Sequence, residues 1–275
     1  KCENFQKSGS FKIRGATNTI LQLTSKELKR GIVTASSGNH GAALSMAVSR
    51  LGIKPKIVMP RNTPKVKINN VIRNGGQIIW CDPNQSSREK VLNDILNKTK
   101  SILVHPYNDE RIIEGQGTVA LELIEQCPDI EAIISPISGG GLLGGIICTA
   151  KKINDQIKIY GAEPKEADDA SRSIKSGVIE ANKSTNTICD GLRAQIGTLT
   201  FPIIKKYVAD IFTIDEKEII DSMRLIWETM KIIVEPSCAI TLSALIKNKK
   251  MFKGMKVGLI ISGGNVDLDN LPWGD

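Results

Sequence analysis

Short apolar segments alternate with helix-length segments along most of the 275-residue chain. Residues 31–35, 56–60, 77–81 and 101–104 have the composition of buried strands, and a helical pattern follows each of the first three. Strands that alternate with helices over short connections form a parallel sheet with helices on both faces. This part of the chain is therefore predicted to form one such sheet.

The same alternation begins again near residue 117. The pattern predicts helices, strands and a glycine loop over residues 117–126, 132–136, 139–153, 158–162, 216–231, 237–247 and 257–261. The fold class is thus α/β, with two open parallel or mixed sheets. We expect a large domain of residues 1–31 and 107–275, which includes a helix over 11–28, and a small domain of residues 32–106 inserted in it. The cleft between them is the expected ligand site.

Charge, hydropathy and cysteine spacing exclude several classes of function. The net charge is +8, but basic residues are interspersed with acids and lack aromatic neighbours, which argues against nucleic-acid binding. No apolar run has transmembrane length. Six separated cysteines without a CxxC pair predict free thiols and a cytoplasmic location. Because the chain begins at Lys1 without a methionine, we expect an N-terminal segment to lie outside this sequence.

A lysine near the start of the chain is the first candidate for chemistry. Lys12 stands between Phe11 and Ile13, after the flexible turn 8–10. Apolar neighbours reduce the hydration of an ammonium group and so favour a neutral amine, which can act as a nucleophile or form a Schiff base. Taken alone, Lys12 is also compatible with a surface lysine at a helix start.

The segment SGGGLLGG, residues 138–145, joins a predicted buried strand to a helix. Glycines at a helix start direct backbone N–H groups toward an anion, usually a phosphate. Gly139, Gly141 and Gly144 also fit the dinucleotide-binding pattern, with Glu163 as the ribose-binding acid. The dinucleotide interpretation gives Lys12 no role, so we favour a phosphate site.

Two further turns follow predicted strands. The segment SSGNHG, residues 36–41, offers hydroxyl, amide and backbone donors to a carboxylate, although Ser36 could be a simple helix cap and His40 a structural residue. The segment SGGN, residues 262–265, places a serine at the edge where parallel sheets bind ligands.

These motifs together resemble one family. Segments SFKIRGA, SSGNHG, SGGGLLGG and SGGN, in this order, are similar to the pyridoxal-phosphate (PLP) enzymes of fold type II, which have the tryptophan synthase β-like fold. Within this family the chain most resembles the serine racemases and the threonine/serine dehydratases. The resemblance extends through HPYND (105–109), GQGT (115–118), AEPKEADD (162–169), CDGLRA (189–194) and EPS (235–237). It implies PLP as the cofactor, an amino acid such as serine as the substrate, and a homodimer.

The resemblance also implies site residues. Lys12 would carry the cofactor covalently, Asn39 would contact the ring hydroxyl, and Ser262 would face the ring nitrogen. Further cofactor contacts are implied for Phe11, Ser138, Gly139, Gly140, Gly141 and Leu142. The substrate carboxylate would be held by Ser36, Asn39 and His40.

A cation site and the question of nucleotide activation follow from the same resemblance. Glu163, the Ala167 carbonyl and Asp169 resemble a site for Mg²⁺, or for Ca²⁺ or Mn²⁺, although a charged loop is the alternative. Ala42 and Thr229 replace residues that contact ATP in mammalian racemases, so ATP activation stays open.

One serine favours racemisation over elimination. Racemisation requires an acid or base on each face of the substrate Cα, and Ser37 stands where the racemases carry the second one. Ala194 and Gln195, however, are typical of dehydratase-like members. We therefore predict a serine racemase with serine and possible threonine dehydratase activity. The alternatives are a catabolic threonine/serine dehydratase and an inactive binding protein.

Overall fold

Two four-stranded parallel sheets form the framework of the chain, as the computed structural model shows for residues 1–273. The strands of the first sheet are β1 (Ile32–Ala35), β2 (Lys56–Pro60), β3 (Gln77–Cys81) and β4 (Ile102–Leu103), in the order β3-β2-β1-β4. Those of the second are β5 (Ala132–Pro136), β6 (Lys158–Pro164), β7 (Asp210–Ile214) and β8 (Val257–Leu259), in the order β7-β6-β5-β8. Every strand pair is parallel, which confirms the predicted fold class.

Helices connect the strands. Over residues 1–273 they are α1 (Lys12–Gln22), α2 (Ser25–Lys29), α3 (Asn39–Ser49), α4 (Lys65–Arg73), α5 (Gln85–Thr99), α6 (Glu110–Gln126), α7 (Gly141–Ile153), α8 (Asp169–Ser176), α9 (Thr200–Tyr207), α10 (Glu216–Met230) and α11 (Pro236–Lys247). No helix in this part of the chain is long and apolar enough to cross a membrane.

Each sheet buries both of its faces because successive strand side chains point in opposite directions. In β5, Ile133 packs in a cluster with α6 and α7, whereas Ile134 packs in a cluster with α11. In β1, Ile32 and Val33 divide between two clusters in the same way. Helix α1 contributes Ala16 and Ile20 to the core of the first sheet, and Leu23, which directly follows the helix, packs in the same cluster. Helix α1 lies in the predicted large domain but packs in the core of the first sheet. The division into a large domain of residues 1–31 and 107–275 and a small domain of residues 32–106 therefore stays a prediction.

The predicted helix over residues 11–28 is wrong in one respect, because it is two helices. Helix α1 ends before Leu23, and Thr24 caps α2. The Thr24 hydroxyl accepts from Glu27 N, and the Glu27 carboxylate accepts from Thr24 N. This reciprocal pair satisfies backbone donors at a helix start and so favours a new helix there.

The helix predicted over residues 117–126 begins two turns earlier. Asp109 accepts a hydrogen bond from Arg111 N, and α6 runs from Glu110 through the GQGT segment. Glycine disfavours helix in the absence of packing, so the sequence pattern placed the start too late.

Close contacts between glycines explain why α6 contains them. A Cβ atom on Gly115 would lie 2.6 Å from Gly15 Cα in α1. On another side of α6, a Cβ atom on Gly117 would lie 2.9 Å from Gly145 O in α7. Helix α6 therefore packs directly against both α1, which begins at Lys12, and α7, which begins at the glycine loop.

We expect Gly115→Ala to destabilise the protein, because the new methyl group would force α1 away from α6. Overpacking of this kind costs about 1–3 kcal/mol, and each kcal/mol lowers the Tm of a chain of this size by roughly 2–4 °C. Gly144→Ala is the matched control, since its Cβ would meet its nearest atoms only at 3.8–4.0 Å. That change should stabilise the helix by about 0.5–1 kcal/mol. Equal Tm values for the two variants, measured by calorimetry, would contradict the prediction.

Candidate active site

Lys12 is the first residue of α1 and lies in a largely dehydrated position. Its Nζ donates a hydrogen bond of 2.7 Å to Pro106 O and lies 5.1 Å from the centre of the Phe11 ring. Burial lowers the pKa of the Lys12 ammonium from 10.5 to about 8, while the carboxylate of Glu235 opposes this shift. Near pH 8 about half of the amine is therefore uncharged, as a nucleophile requires.

The segment before Lys12 is joined to the SGGN turn at the other end of the chain. Phe11 N donates to Ser262 O at 3.0 Å, and Gly264 N donates to Gly9 O at 2.9 Å. Ser10 and Gly263 form an antiparallel bridge. Ser262, the predicted partner of the ring nitrogen, therefore lies next to the lysine-bearing segment.

A buried carboxylate connects the SSGNHG and SGGN turns. Asn39 Nδ2 donates to Glu235 Oε1 at 2.9 Å and to Oε2 at 3.1 Å, while Asn39 Oδ1 accepts from Asn265 Nδ2 at 2.9 Å. Burial raises the pKa of the Glu235 carboxyl, and the Lys67 ammonium opposes the shift. The sequence motifs did not point to Glu235 as a site residue; its only signal was the EPS segment at the start of α11.

The two serines between β1 and α3 differ in what their hydroxyls do. Ser36 Oγ accepts from Gly38 N at 3.2 Å and from Gly41 N at 3.1 Å, so it stabilises the start of α3. Ser37 is half-buried and has no side-chain hydrogen bond within residues 1–273. The substrate contact of Ser36 and the acid–base role of Ser37 stay predictions.

His40 is buried and neutral. Its Nε2 lies 3.1 Å from Val104 O, and because a carbonyl only accepts, Nε2 carries the proton. Burial and the nearby Lys12 ammonium lower the pKa of His40 to about 3. The His40 ring therefore links α3 to the segment 104–106, whose Pro106 carbonyl accepts from Lys12. The contact of His40 with the substrate stays a prediction.

The glycine loop has the geometry of an anion site. Gly140 has φ of 85° and caps α7, and none of the N–H groups of residues 139–142 donates a hydrogen bond within residues 1–273. A Cβ atom on Gly139 would lie 2.4 Å from the Tyr107 ring, so only glycine fits there. Tyr107 directly follows Pro106, the acceptor of the Lys12 amine, and this contact brings the loop and the lysine together.

The predicted cation ligands form a buried acidic pair. Glu163 and Asp169 are each 1% exposed; Glu163 accepts from Ser171 N at 2.6 Å and Asp169 from Ile196 N at 2.7 Å. Burial raises the pKa of Glu163 to about 8 and that of Asp169 to about 6. Ala167 lies in the turn between them. Within residues 1–273 there is no cluster of three or more His, Cys, Asp or Glu side chains suited to a metal.

Comparison with known proteins identifies the family. A family model described as pyridoxal-phosphate dependent enzyme matches residues 1–263. The chain belongs to this family. Its two parallel four-stranded sheets are thus those of a fold-type II PLP enzyme, which agrees with the predicted fold class.

Individual relatives of this PLP enzyme are similar over almost its full length. A serine racemase from Arabidopsis thaliana is 50% identical over 276 residues, which cover 98% of this chain and 83% of the relative. A beta-hydroxyaspartate dehydratase from Paracoccus denitrificans is 45% identical over 273 residues, covering 99% and 87%. Among solved structures, maize serine racemase superposes with a TM-score of 0.95 at 48% identity, covering 98% and 83%.

Proposed function

We propose that this chain is a PLP-dependent serine racemase that also dehydrates serine to pyruvate and ammonia. The proposal rests on one arrangement. The buried Lys12 amine donates to Pro106 O, and the ring of the next residue, Tyr107, packs against Gly139 of the glycine loop. The similarity to serine racemases at about half identity supports serine as the substrate. The intact lysine and loop argue against an inactive binding protein.

The residues present fit the cofactor. The free N–H groups of residues 139–142 would hold its phosphate, and the Lys12 amine would bind its aldehyde carbon. Asn39 and Ser262 would contact the ring, with Phe11 and Ser138 as further contacts. Ser138 Oγ also bonds Ala194 N and Ala194 O, both at 3.0 Å, and so supports the loop. Bound PLP would withdraw electrons from the substrate and so acidify its Cα–H bond.

The side chains of this protein would then move the proton. Lys12, with its pKa near 8, is suited to remove and return a proton on one face of the substrate Cα at neutral pH. Ser37 is proposed to do the same on the other face. Ser36, Asn39 and His40 would orient the carboxylate so that the Cα–H bond lies between the two groups.

Elimination is the second candidate activity. The 45% identical relative that is named a dehydratase favours it, since a β-hydroxyl can leave after the same Cα proton is removed. Serine is the proposed substrate, and threonine carries the same leaving group. The holoenzyme should be incubated with L-serine while D-serine is measured by chiral chromatography and pyruvate by a coupled assay. Formation of pyruvate without any D-serine would favour the catabolic dehydratase.

We propose that Glu163, the Ala167 carbonyl and Asp169 bind Mg²⁺, with Ca²⁺ or Mn²⁺ as substitutes. Without a cation, the raised pKa values mean that the folded state binds more protons than the unfolded state between about pH 3.8 and pH 8. Stability should therefore fall as pH rises through this range. A cation at one hundred times its Kd should raise the free energy of unfolding by about 2.7 kcal/mol. This corresponds to an increase of roughly 5–10 °C in Tm.

Calorimetry with chelator and with Mg²⁺, at pH 5.5 and pH 8, measures this effect. Glu163→Gln should lose the Mg²⁺ response, while Glu166→Gln, which changes an exposed carboxylate of the same segment, should keep it. A Mg²⁺ response that is the same in both variants would remove the proposed site.

We also propose a homodimeric, cytoplasmic enzyme. The family resemblance supports the dimer, and the six separated cysteines support a reducing compartment. ATP activation is not part of the proposal, because Ala42 and Thr229 stand at the expected nucleotide contacts.

A further inference from the structure

We propose that Thr200 is a positioning residue that fixes the glycine loop in its phosphate-binding shape. The proposal rests on the cofactor role proposed for residues 138–142. It concerns how tightly and in what geometry the phosphate is held, and it assigns Thr200 no contact with the substrate.

The Thr200 hydroxyl is buried against the backbone of the loop. Thr200 is the first residue of α9 and is 0% exposed. Its Oγ1 lies 2.7 Å from Gly139 O and 3.1 Å from Gly197 O, and it accepts from Gly197 N at 3.1 Å. Gly197 N also donates to Gly139 O at 3.1 Å. The Gly139 carbonyl therefore accepts two hydrogen bonds from the segment 197–200.

Fixing this carbonyl also fixes a phosphate-facing donor. In a planar trans peptide the N–H group points opposite to the preceding C=O. Because Thr200 and Gly197 hold Gly139 O, the N–H of Gly140 must point to the other side of the loop. Gly140 itself has φ of 85°, and a Cβ atom on it would lie 2.7 Å from Thr200 Oγ1. Thr200 therefore determines the direction of the Gly140 N–H without touching the anion.

Hydrogen bonds from two other parts of the chain hold the segment 196–200, which carries Thr200. On one side, Ile196 N donates to Asp169 Oδ2 at 2.7 Å. On the other, Leu199 N donates to Asn108 Oδ1 at 2.8 Å, and Asn108 Nδ2 donates to Thr198 Oγ1 at 3.0 Å. Asn108 follows the tyrosine whose ring covers Gly139. The hydroxyl is therefore pre-oriented, so little ordering should remain when the phosphate binds.

A purely structural role for Thr200 makes a different prediction from a positioning role. Its methyl group faces Gly144 of α7, where it would lie 3.8 Å from a Cβ atom added to that glycine, so loss of packing alone could disturb α7. Thr200→Val keeps the shape and the methyl group but removes the donor, whereas Thr200→Ser keeps the donor and removes the methyl group. If only packing mattered, the serine variant would be the more damaged of the two.

The test compares PLP with pyridoxal, which lacks the phosphate. After removal of the cofactor from the purified holoenzyme with a carbonyl reagent, the Kd of each compound is measured by absorbance titration. Thr200→Val should bind PLP roughly 10-fold to 100-fold more weakly, the range for a buried carbonyl that loses a donor. Its affinity for pyridoxal should be unchanged, and Thr200→Ser should bind both compounds like the wild type. The ³¹P NMR shift of bound PLP should change only in Thr200→Val.

Thr34→Val is the matched control. Thr34 is also 0% exposed, but its Oγ1 has no partner within residues 1–273, so its loss should leave PLP affinity unchanged. Equal PLP affinity in Thr200→Val and the wild type, or an equal loss for pyridoxal, would overturn the role of Thr200. If the valine variant does not fold, Thr200→Cys, which keeps only a weak donor, is compared with Thr200→Ser by the same criteria. Failure of the wild type to bind PLP would overturn both this inference and the proposed cofactor.

Discussion

Lys12→Ala should abolish serine turnover while leaving the fold intact. Lys12 is proposed to bind the cofactor covalently and to transfer the substrate proton, and within residues 1–273 no other amine donates to Pro106 O. Loss of a positioned base alone costs about 10²–10⁴ in rate, and loss of the covalent attachment lowers the rate further, so activity should fall by about 10⁴ or more. The cofactor can still be held through its phosphate, but it should dissociate on gel filtration.

The measurement is borohydride reduction of the holoenzyme followed by peptide mapping, together with D-serine and pyruvate assays. In the wild type the reduced cofactor should remain on the peptide that contains Lys12, and in the variant it should be absent. Lys151→Ala is the matched control, because the Lys151 amine also donates to backbone carbonyl groups but lies at the far end of α7. A reduced cofactor on the buried Lys67 would overturn the assignment.

Local sequence patterns predicted the sheets because a few consecutive residues are enough to specify a strand or a glycine turn. The strand over residues 132–136 was placed at its observed ends, since a short apolar run between polar residues has few alternatives. Strand β7 and helix α9 were not predicted. Each is short and has polar residues between its apolar ones, so packing against neighbouring elements determines its structure more than local propensity does.

The same limit applies to the site. Some parts of the site can be recognised in the sequence because such runs of residue types are uncommon: Lys12 with its neighbours, the glycine loop, and the SSGNHG and SGGN turns. Glu235 is 196 residues from Asn39 in sequence, and Thr200 is 61 residues from Gly139. A single glutamate or threonine has no local signature of such a partner. The residues that support the site are therefore identified from the three-dimensional structure and not from the sequence.

Ser37→Ala should separate racemisation from elimination. Removal of the Cα proton of L-serine requires only Lys12, and loss of the β-hydroxyl then leads to pyruvate and ammonia. Delivery of a proton to the opposite face requires a second group, for which Ser37 is the candidate. Interconversion of L- and D-serine should therefore fall by about 100-fold or more, the scale for one positioned acid or base. Elimination from L-serine should survive, whereas elimination from D-serine should fall because that proton leaves on the Ser37 side.

The contrast between the two enantiomers is what makes this result specific, because general damage to the site would lower all of these rates together. Chiral chromatography and a pyruvate assay on the same samples measure the four rates, and the absorbance spectrum of the bound cofactor checks that the site is intact. Ser49→Ala is the matched control: Ser49 lies on α3, its Oγ donates to Met46 O and to no other group of residues 1–273, and all four rates should stay at the wild-type level. Persistent racemisation in Ser37→Ala would show that another group protonates the second face. The absence of D-serine from the wild type would instead favour the dehydratase, in which Ser37 has no proton to deliver.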